Sequence, residues 1–167
     1  MRIETMRYTE RFGSVRLHDV QKVLELDSGR QVDLAEDRGI IKVDEEAIRD
    51  IENKMAIVIP VKDERLKLFE GVVSGIPHDC LAIAVSNSQR APIDRFRMES
   101  DALEQFCHFT RSQALSAHQK DPSLAQALAE AGYTDLLTEG GQVRDGKSEG
   151  MVIGMLLAMA ANKEYVG

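Results

Sequence analysis

Two stretches of the chain are apolar almost without interruption, Met55-Ala56-Ile57-Val58-Ile59-Pro60 and Leu81-Ala82-Ile83-Ala84-Val85. Short runs of this kind, each followed by polar residues, predict strands buried on both faces, as in parallel sheets. Between them Leu66, Phe69, Val72, Val73 and Ile76 recur at helical spacing, and Pro77 predicts the end of that helix. The alternation continues downstream. A charged segment that starts at Pro92 becomes helical, with Phe96, Leu103, Phe106 and Cys107 on its apolar face. Ala114-Leu115-Ser116-Ala117 predicts a short strand, residues 123–131 a helix, and Gly132 its C-cap. Residues 151–161 are nearly all apolar, which predicts a helix buried within a larger body, and Tyr165-Val166 opens a further buried strand.

Upstream the pattern is weaker. Residues 20–26 alternate well enough to predict a strand, and Asp27-Ser28-Gly29 a turn. Residues 30–39 are polar without a period and predict a loop. Asp44 is placed to cap a helix whose first turn holds Glu45 and Glu46 and whose apolar face holds Ala47, Ile48 and Ile51. The pattern predicts an α/β protein, a mostly parallel central sheet flanked by helices. Residues 1–43 form an amino-terminal strand and loop region packing on a domain of residues 44–167.

Composition narrows the function more than the fold. The 167 residues suffice for one well-buried domain, and 43% hydrophobic with 29% charged residues is ordinary for a globular chain. A net charge of -7 excludes a general nucleic-acid binder, though not a local basic pocket for phosphates. Cys80 and Cys107 lie within apolar patterns and read as core thiols. His18 lacks a partner at metal-ligand spacing. The amino terminus carries no apolar leader, and residues 151–161 fall short of the roughly 20 apolar residues that span a bilayer. The expectation is a cytoplasmic protein without membrane contact.

Candidate chemistry gathers where the predicted strands end, the edge at which open α/β sheets hold ligands. The first strand runs into Pro60-Val61-Lys62-Asp63-Glu64. The second runs into Ser86-Asn87-Ser88, which reads either as a plain turn or as a ligand-facing loop. The third meets His118-Gln119-Lys120-Asp121-Pro122. A fourth group, Gly141-Gln142-Val143-Arg144-Asp145-Gly146-Lys147-Ser148, matches the phosphate-cradling pattern G-x-x-x-x-G-K-[ST] just before an apolar helix. Backbone N–H groups and the helix dipole there favour an anion. A true P-loop needs a strong strand leading into its first glycine, and Leu136-Leu137-Thr138-Glu139-Gly140 is a weak one. It also needs an acidic strand end near Mg²⁺.

The same segments carry a resemblance. Tyr8-Thr9-Glu10-Arg11-Phe12-Gly13 with Leu17-His18-Asp19-Val20-Gln21-Lys22, residues 56–64, residues 85–88, and residues 118–122 with 144–151 are similar to the mannosyl-3-phosphoglycerate synthases. Gly75-Ile76-Pro77-His78 and Ala131-Gly132-Tyr133 extend the similarity along the whole chain. The resemblance implies a GT-A, Rossmann-like nucleotide-sugar-binding domain. It implies transfer of mannose from GDP-mannose to 3-phosphoglycerate with retention, giving mannosyl-3-phosphoglycerate, the precursor of the compatible solute mannosylglycerate. It also implies a cytoplasmic, often dimeric enzyme that uses a divalent cation, usually Mg²⁺.

On that basis Pro60, Val61, Lys62 and Glu64 are expected at the nucleotide, with Glu64 accepting from ribose hydroxyls or guanine. Ser86, Asn87 and Ser88 are expected to read a base edge, and Gln119 and Lys120 to complete the third strand end. Arg144 and Lys147 are expected to neutralise the donor diphosphate. In the family the strand that begins like Tyr165-Val166-Gly167 continues into an Asp-Ala-Asp metal motif, so the metal ligands and catalytic residues are expected beyond Gly167. The 167-residue chain alone is therefore expected to be inactive and marginally folded, with apolar surface exposed where the sheet should continue. Two other classes stay open. One is a P-loop nucleotide-binding protein. The other is a sugar nucleotidyltransferase, whose usual glycine- and arginine-rich loop after the first strand has no counterpart in Pro60-Val61-Lys62-Asp63-Glu64.

Overall fold

The computed structural model describes residues 46–167 with their side chains and, before them, the backbone of residues 2–4, 10–12, 15–17, 23–27 and 40–45. The chain divides into two compact units, Met1–Asn53 with Pro77–Asp79, and Lys54–Ile76 with Cys80–Gly167.

The first unit holds β1 (Arg2–Glu4), β2 (Glu10–Phe12), β3 (Val15–Leu17), β4 (Val23–Asp27), β5 (Ile40–Asp44) and the helix α1 (Glu45–Asn53). β4 lies between β1, its antiparallel neighbour, and β5, its parallel one, while β2 and β3 pair antiparallel. The strand predicted over residues 20–26 is β4 from Val23 onward; its first three residues, His18 and the loop at 30–39 lie outside the described residues. Asp44, expected as a helix cap, ends β5 and directly precedes α1.

The second unit is the predicted α/β body. Its strands are β6 (Met55–Val61), β7 (Leu81–Ser86), β8 (Gln113–His118) and β9 (Tyr165–Val166), and its helices α2 (Leu66–Val73), α3 (Arg95–Thr110), α4 (Pro122–Glu130) and α5 (Lys147–Ala160). The four strands are parallel, in the order β8-β7-β6-β9. The chain steps outward from β6 to β7 to β8, then returns to place β9 on the far side of β6. That reversal makes a topological switch point beside β6, where open sheets leave a crevice at the strands' carboxyl ends. Register brings those ends level: Val61 pairs with Ser86, and Ser86 with His118.

Both faces of β6 and β7 are covered, which is why these two strands read as continuous apolar runs. Ala56, Val58, Leu81, Ile83 and Val85 pack with Ala125 and Leu128 of α4 and Ile153 and Ala158 of α5. On the other face Val61 and Ala84 meet Phe69 and Val73 of α2 and Leu103 of α3. Pro60 costs no ladder bond to β7. The Val58 N–H donates to the Gly167 carbonyl while the Val61 carbonyl accepts from the Asn87 N–H, so even-numbered residues of β6, Pro60 among them, turn their backbone groups to β9 and not to β7.

Three details differ from the pattern reading. α2 stops at Val73, where Ser74 takes the C-cap position; Ile76 is past the helix and packs against Cys80 and Ala82. Val72, placed on the apolar face, is half-exposed. α3 begins at Arg95, because the Asp94 carboxylate accepts from the Arg97 N–H at 3.0 Å and so caps it. α5 is buried along one stripe, Gly150, Ile153, Gly154 and Ala158, and turns Met155 and Met159 to solvent. Cys80 is buried, Cys107 half-buried, and no disulfide joins them. Among the described residues no helix is long and apolar enough to cross a membrane.

Candidate functional site

A cavity of about 320 Å³ opens at the carboxyl ends of β6 and β7, lined by Pro60, Val61, Lys62, Glu64, Val85, Asn87, Gln119, Asp145, Gly146 and Lys147. Seven of the residues expected at a nucleotide are thus brought together: Pro60, Val61, Lys62, Glu64, Asn87, Gln119 and Lys147. Sequence reasoning missed Val85, Asp145 and Gly146. Asp145 stands between Arg144 and Lys147, where attention to cations hides a carboxylate.

Each wall is positioned by a separate device. Gln119 is fully buried at the end of β8 and donates through Nε2 to the carbonyls of Arg144, at 2.6 Å, and Gly146, at 3.2 Å. It therefore fixes the loop before α5 rather than offering its amide to the cavity. Lys120 does the same from the next position: its Nζ donates to the Val143 carbonyl and pairs with Asp145 Oδ1 at 3.0 Å. Gly146 precedes α5, so the first turn of that helix, with Lys147, faces the cavity.

Ser86 and Ser88 are placed elsewhere. Their hydroxyls each donate at 2.6 Å to one oxygen of the buried Glu99 carboxylate on α3. Ser88 Oγ also accepts from the Asp63 N–H at 2.7 Å, and Ser86 Oγ from the Ser88 N–H at 3.1 Å. His118 Nε2 lies 2.9 Å from the Ser88 carbonyl, with its ring edge-on to Phe96. Glu99 thus binds the loops after β6 and β7 into one unit, and Asn87, between the two serines, is the residue this unit presents to the cavity. A carboxylate three residues from Phe96 and four from Leu103 shares their helix face, and that signal could have found it. Arg144 is not in the cavity either: its Nε donates to the Leu137 carbonyl at 3.1 Å.

Asp145 is the electrostatic centre of the mouth. Its Oδ1 accepts from Asn87 Nδ2 at 3.0 Å as well as pairing with Lys120. The Asn87 amide, then the Lys120 ammonium, hold its carboxyl below the usual carboxylate range, with the charge of Lys62 adding to them. A depressed folded-state value means these contacts are complete above the ordinary carboxylate pKa of about 3.9 and are lost as pH falls through the lowered value. A carboxyl-carbon NMR titration of Asp145 should show a midpoint below that of an unperturbed aspartate; an ordinary midpoint would mean that Asn87 and Lys120 do not hold it.

The phosphate-loop pattern has another structural meaning. No strand leads into Gly141; residues 138–142 form a turn in which Thr138 N–H bonds to the Gln142 carbonyl at 2.7 Å, and Gly141 takes a φ of 71°. With this geometry in hand, comparison with known proteins is decisive. The model of the mannosyl-3-phosphoglycerate synthase family matches residues 5–167. The chain belongs to that family. It is 44% identical over 167 residues to the mannosyl-3-phosphoglycerate synthase of Pyrococcus furiosus, covering all of this chain and 42% of the relative. It is 35% identical over 158 residues to that of Aeropyrum pernix, covering 95% of this chain and 40% of the relative. The chain therefore spans about two-fifths of the length of these mannosyl-3-phosphoglycerate synthases. Family membership sets aside the P-loop and nucleotidyltransferase readings. Among the described residues no three His, Cys, Asp or Glu side chains are grouped to hold a metal ion.

Proposed function

We propose that this chain supplies the donor-nucleotide site of an enzyme that transfers mannose from GDP-mannose to 3-phosphoglycerate, with retention, giving mannosyl-3-phosphoglycerate. The observation that carries the reading is the cavity at the strand ends, where Lys62 and Lys147 share the lining with an apolar floor of Pro60 and Val85. An apolar floor suits the face of a base and ribose, and a lysine at the amino end of α5 suits a diphosphate. The names of the two relatives support the product, and the resemblance supports the donor. Cytoplasmic location and a homodimer belong to the same reading. So does a divalent cation such as Mg²⁺, but the described residues offer it no ligand set, and no step here runs through it.

What these residues do is bind and orient. Lys147 and the positive end of the α5 dipole meet the negative charge of the diphosphate. Gln119 and Lys120 hold that turn in place through the carbonyls of residues 143, 144 and 146. Lys147→Ala should raise the dissociation constant for GDP-mannose at least tenfold, about 1.4 kcal/mol, by titration calorimetry. An unchanged constant would remove Lys147 from the diphosphate.

A further inference from the structure

Asp63 stands behind the cavity, between two residues that line it: Lys62 and Glu64 are in the wall and Asp63 is not. Its φ is 52°, in the left-handed region that glycine enters most easily, although aspartate tolerates it better than most residues with a side chain. A strained conformation just past the end of β6 calls for a reason, and the contacts of this aspartate provide one. The Asp63 N–H donates to Ser88 Oγ at 2.7 Å, and Asp63 Oδ1 accepts from the Gln89 N–H at 3.0 Å. Arg95 Nε lies 3.7 Å from the same oxygen, and Arg95 Nη2 donates to the Glu64 carbonyl at 2.7 Å. Together these contacts tie residues 62–64 to the loop after β7 and to the start of α3. A glycine would take the backbone conformation more easily but would offer Gln89 and Arg95 no acceptor.

We infer that Asp63 is a positioning residue for the cavity: its left-handed backbone and its carboxylate lock the loop after β6 onto the loop after β7, and so hold Lys62 and Glu64 where a ligand meets them. This rests on the nucleotide-binding reading of the cavity and deepens it. Glu64 is held by its carbonyl on Arg95, and Lys62 is close enough to Asp145 on the facing loop for its charge to help lower that carboxyl. Both are long side chains, and ordering them together with a loose loop would cost affinity that a loop fixed in advance does not lose. The lock adds less to folding than to geometry. Asp63 is 42% exposed, so its pair with Arg95 is screened by solvent, and its strained φ opposes the hydrogen bond it makes to Gln89.

The test is a series at this one position, Asp63→Asn, Asp63→Gly and Asp63→Ala. Melting temperature and calorimetric affinity for the proposed donor, GDP-mannose, are measured on each 167-residue protein. Asparagine keeps both the tolerance of a positive φ and an Oδ1 acceptor, so its affinity should stay within about twofold of the parent. Glycine frees the backbone but removes the acceptor. It should melt within about 2 °C of the parent yet bind about fivefold or more weakly. Alanine keeps the strain and loses the acceptor, so it should fall in both. Glycine binding as tightly as the parent would overturn the inference, as would asparagine binding as weakly as glycine. Affinities that follow melting temperature in step across the series would also overturn it, because Asp63 would then act on folding alone. If the parent itself binds no GDP-mannose, the donor-site reading falls and this inference falls with it.

Discussion

Glu99→Ala is expected to lower stability by about 2–4 kcal/mol. Glu99 is 4% exposed, and its two oxygens accept from Ser86 Oγ and Ser88 Oγ at 2.6 Å, the length of charge-assisted hydroxyl–carboxylate bonds. Alanine leaves both buried hydroxyls without their acceptor and opens a cavity beneath β7. Ser86 and Ser88 are themselves 1% and 2% exposed, so solvent does not replace the lost partner. The loss spreads because Ser88 Oγ also receives the Asp63 N–H. For a chain of this size the melting temperature should fall by roughly 5–15 °C. Glu99→Gln keeps one acceptor and should lose less than half as much. The triple replacement of Glu99, Ser86 and Ser88 by alanine should be less destabilised than the sum of its parts, since no unpaired group is then left. Additive losses would mean that the three side chains do not act as one network. Affinity for the proposed donor, GDP-mannose, provides a separate readout. The network holds Asn87 between its serines, so Glu99→Gln should weaken binding even at temperatures where it is fully folded.

This network also marks the limit of what the sequence could tell. The strands β6 and β7 were legible because uninterrupted apolar runs such as Ile57-Val58-Ile59 have one comfortable place, inside a sheet covered on both faces. The helix phases and the gathering of polar groups at strand ends followed from the same logic. Periodicity and strand-end position say which residues reach the ligand edge but not which way a side chain turns there. Ser86 and Ser88 were expected to meet a base, yet they turn under the sheet to Glu99. Gln119 and Lys120 face the loop before α5, and Arg144 reaches back to Leu137. In each case the partner is 7 to 27 residues distant along the chain, beyond the reach of any local pattern. Asp145 was missed for a related reason: its partners, Asn87 and Lys120, come from two other strand ends. The glycines of α5 were hidden too, because a Gly in an apolar helix lowers helix propensity without saying what it approaches.

Gly154→Ala should destabilise the protein by about 1–3 kcal/mol even though alanine is the better helix former by about 1 kcal/mol. Gly154 lies in the middle of α5 and is buried against β6. A Cβ there would stand 2.2 Å from Val58 Cγ1, 2.8 Å from Cγ2 and 3.1 Å from Cβ. Val58 cannot swing clear, because a β-branched side chain has little rotamer freedom and this one is 7% exposed in an interior strand. The helix must therefore move off the sheet, carrying Gly150, Gly146 and Lys147 with it. Gly71 provides the control: it lies within α2, and an added Cβ there meets nothing within 4 Å. Gly71→Ala should be neutral to stabilising by up to about 1 kcal/mol, so the two alanines should act in opposite directions. Val58→Ala in the Gly154→Ala background should recover part of the loss, although Val58→Ala alone opens a cavity; urea titrations of the four proteins give the coupling energy. A coupling near zero would show that α5 is not set on β6 by this contact. Because Lys147 starts the same helix, the displaced α5 of Gly154→Ala should also bind the proposed donor, GDP-mannose, more weakly, and the Val58→Ala rescue should restore affinity in step with stability.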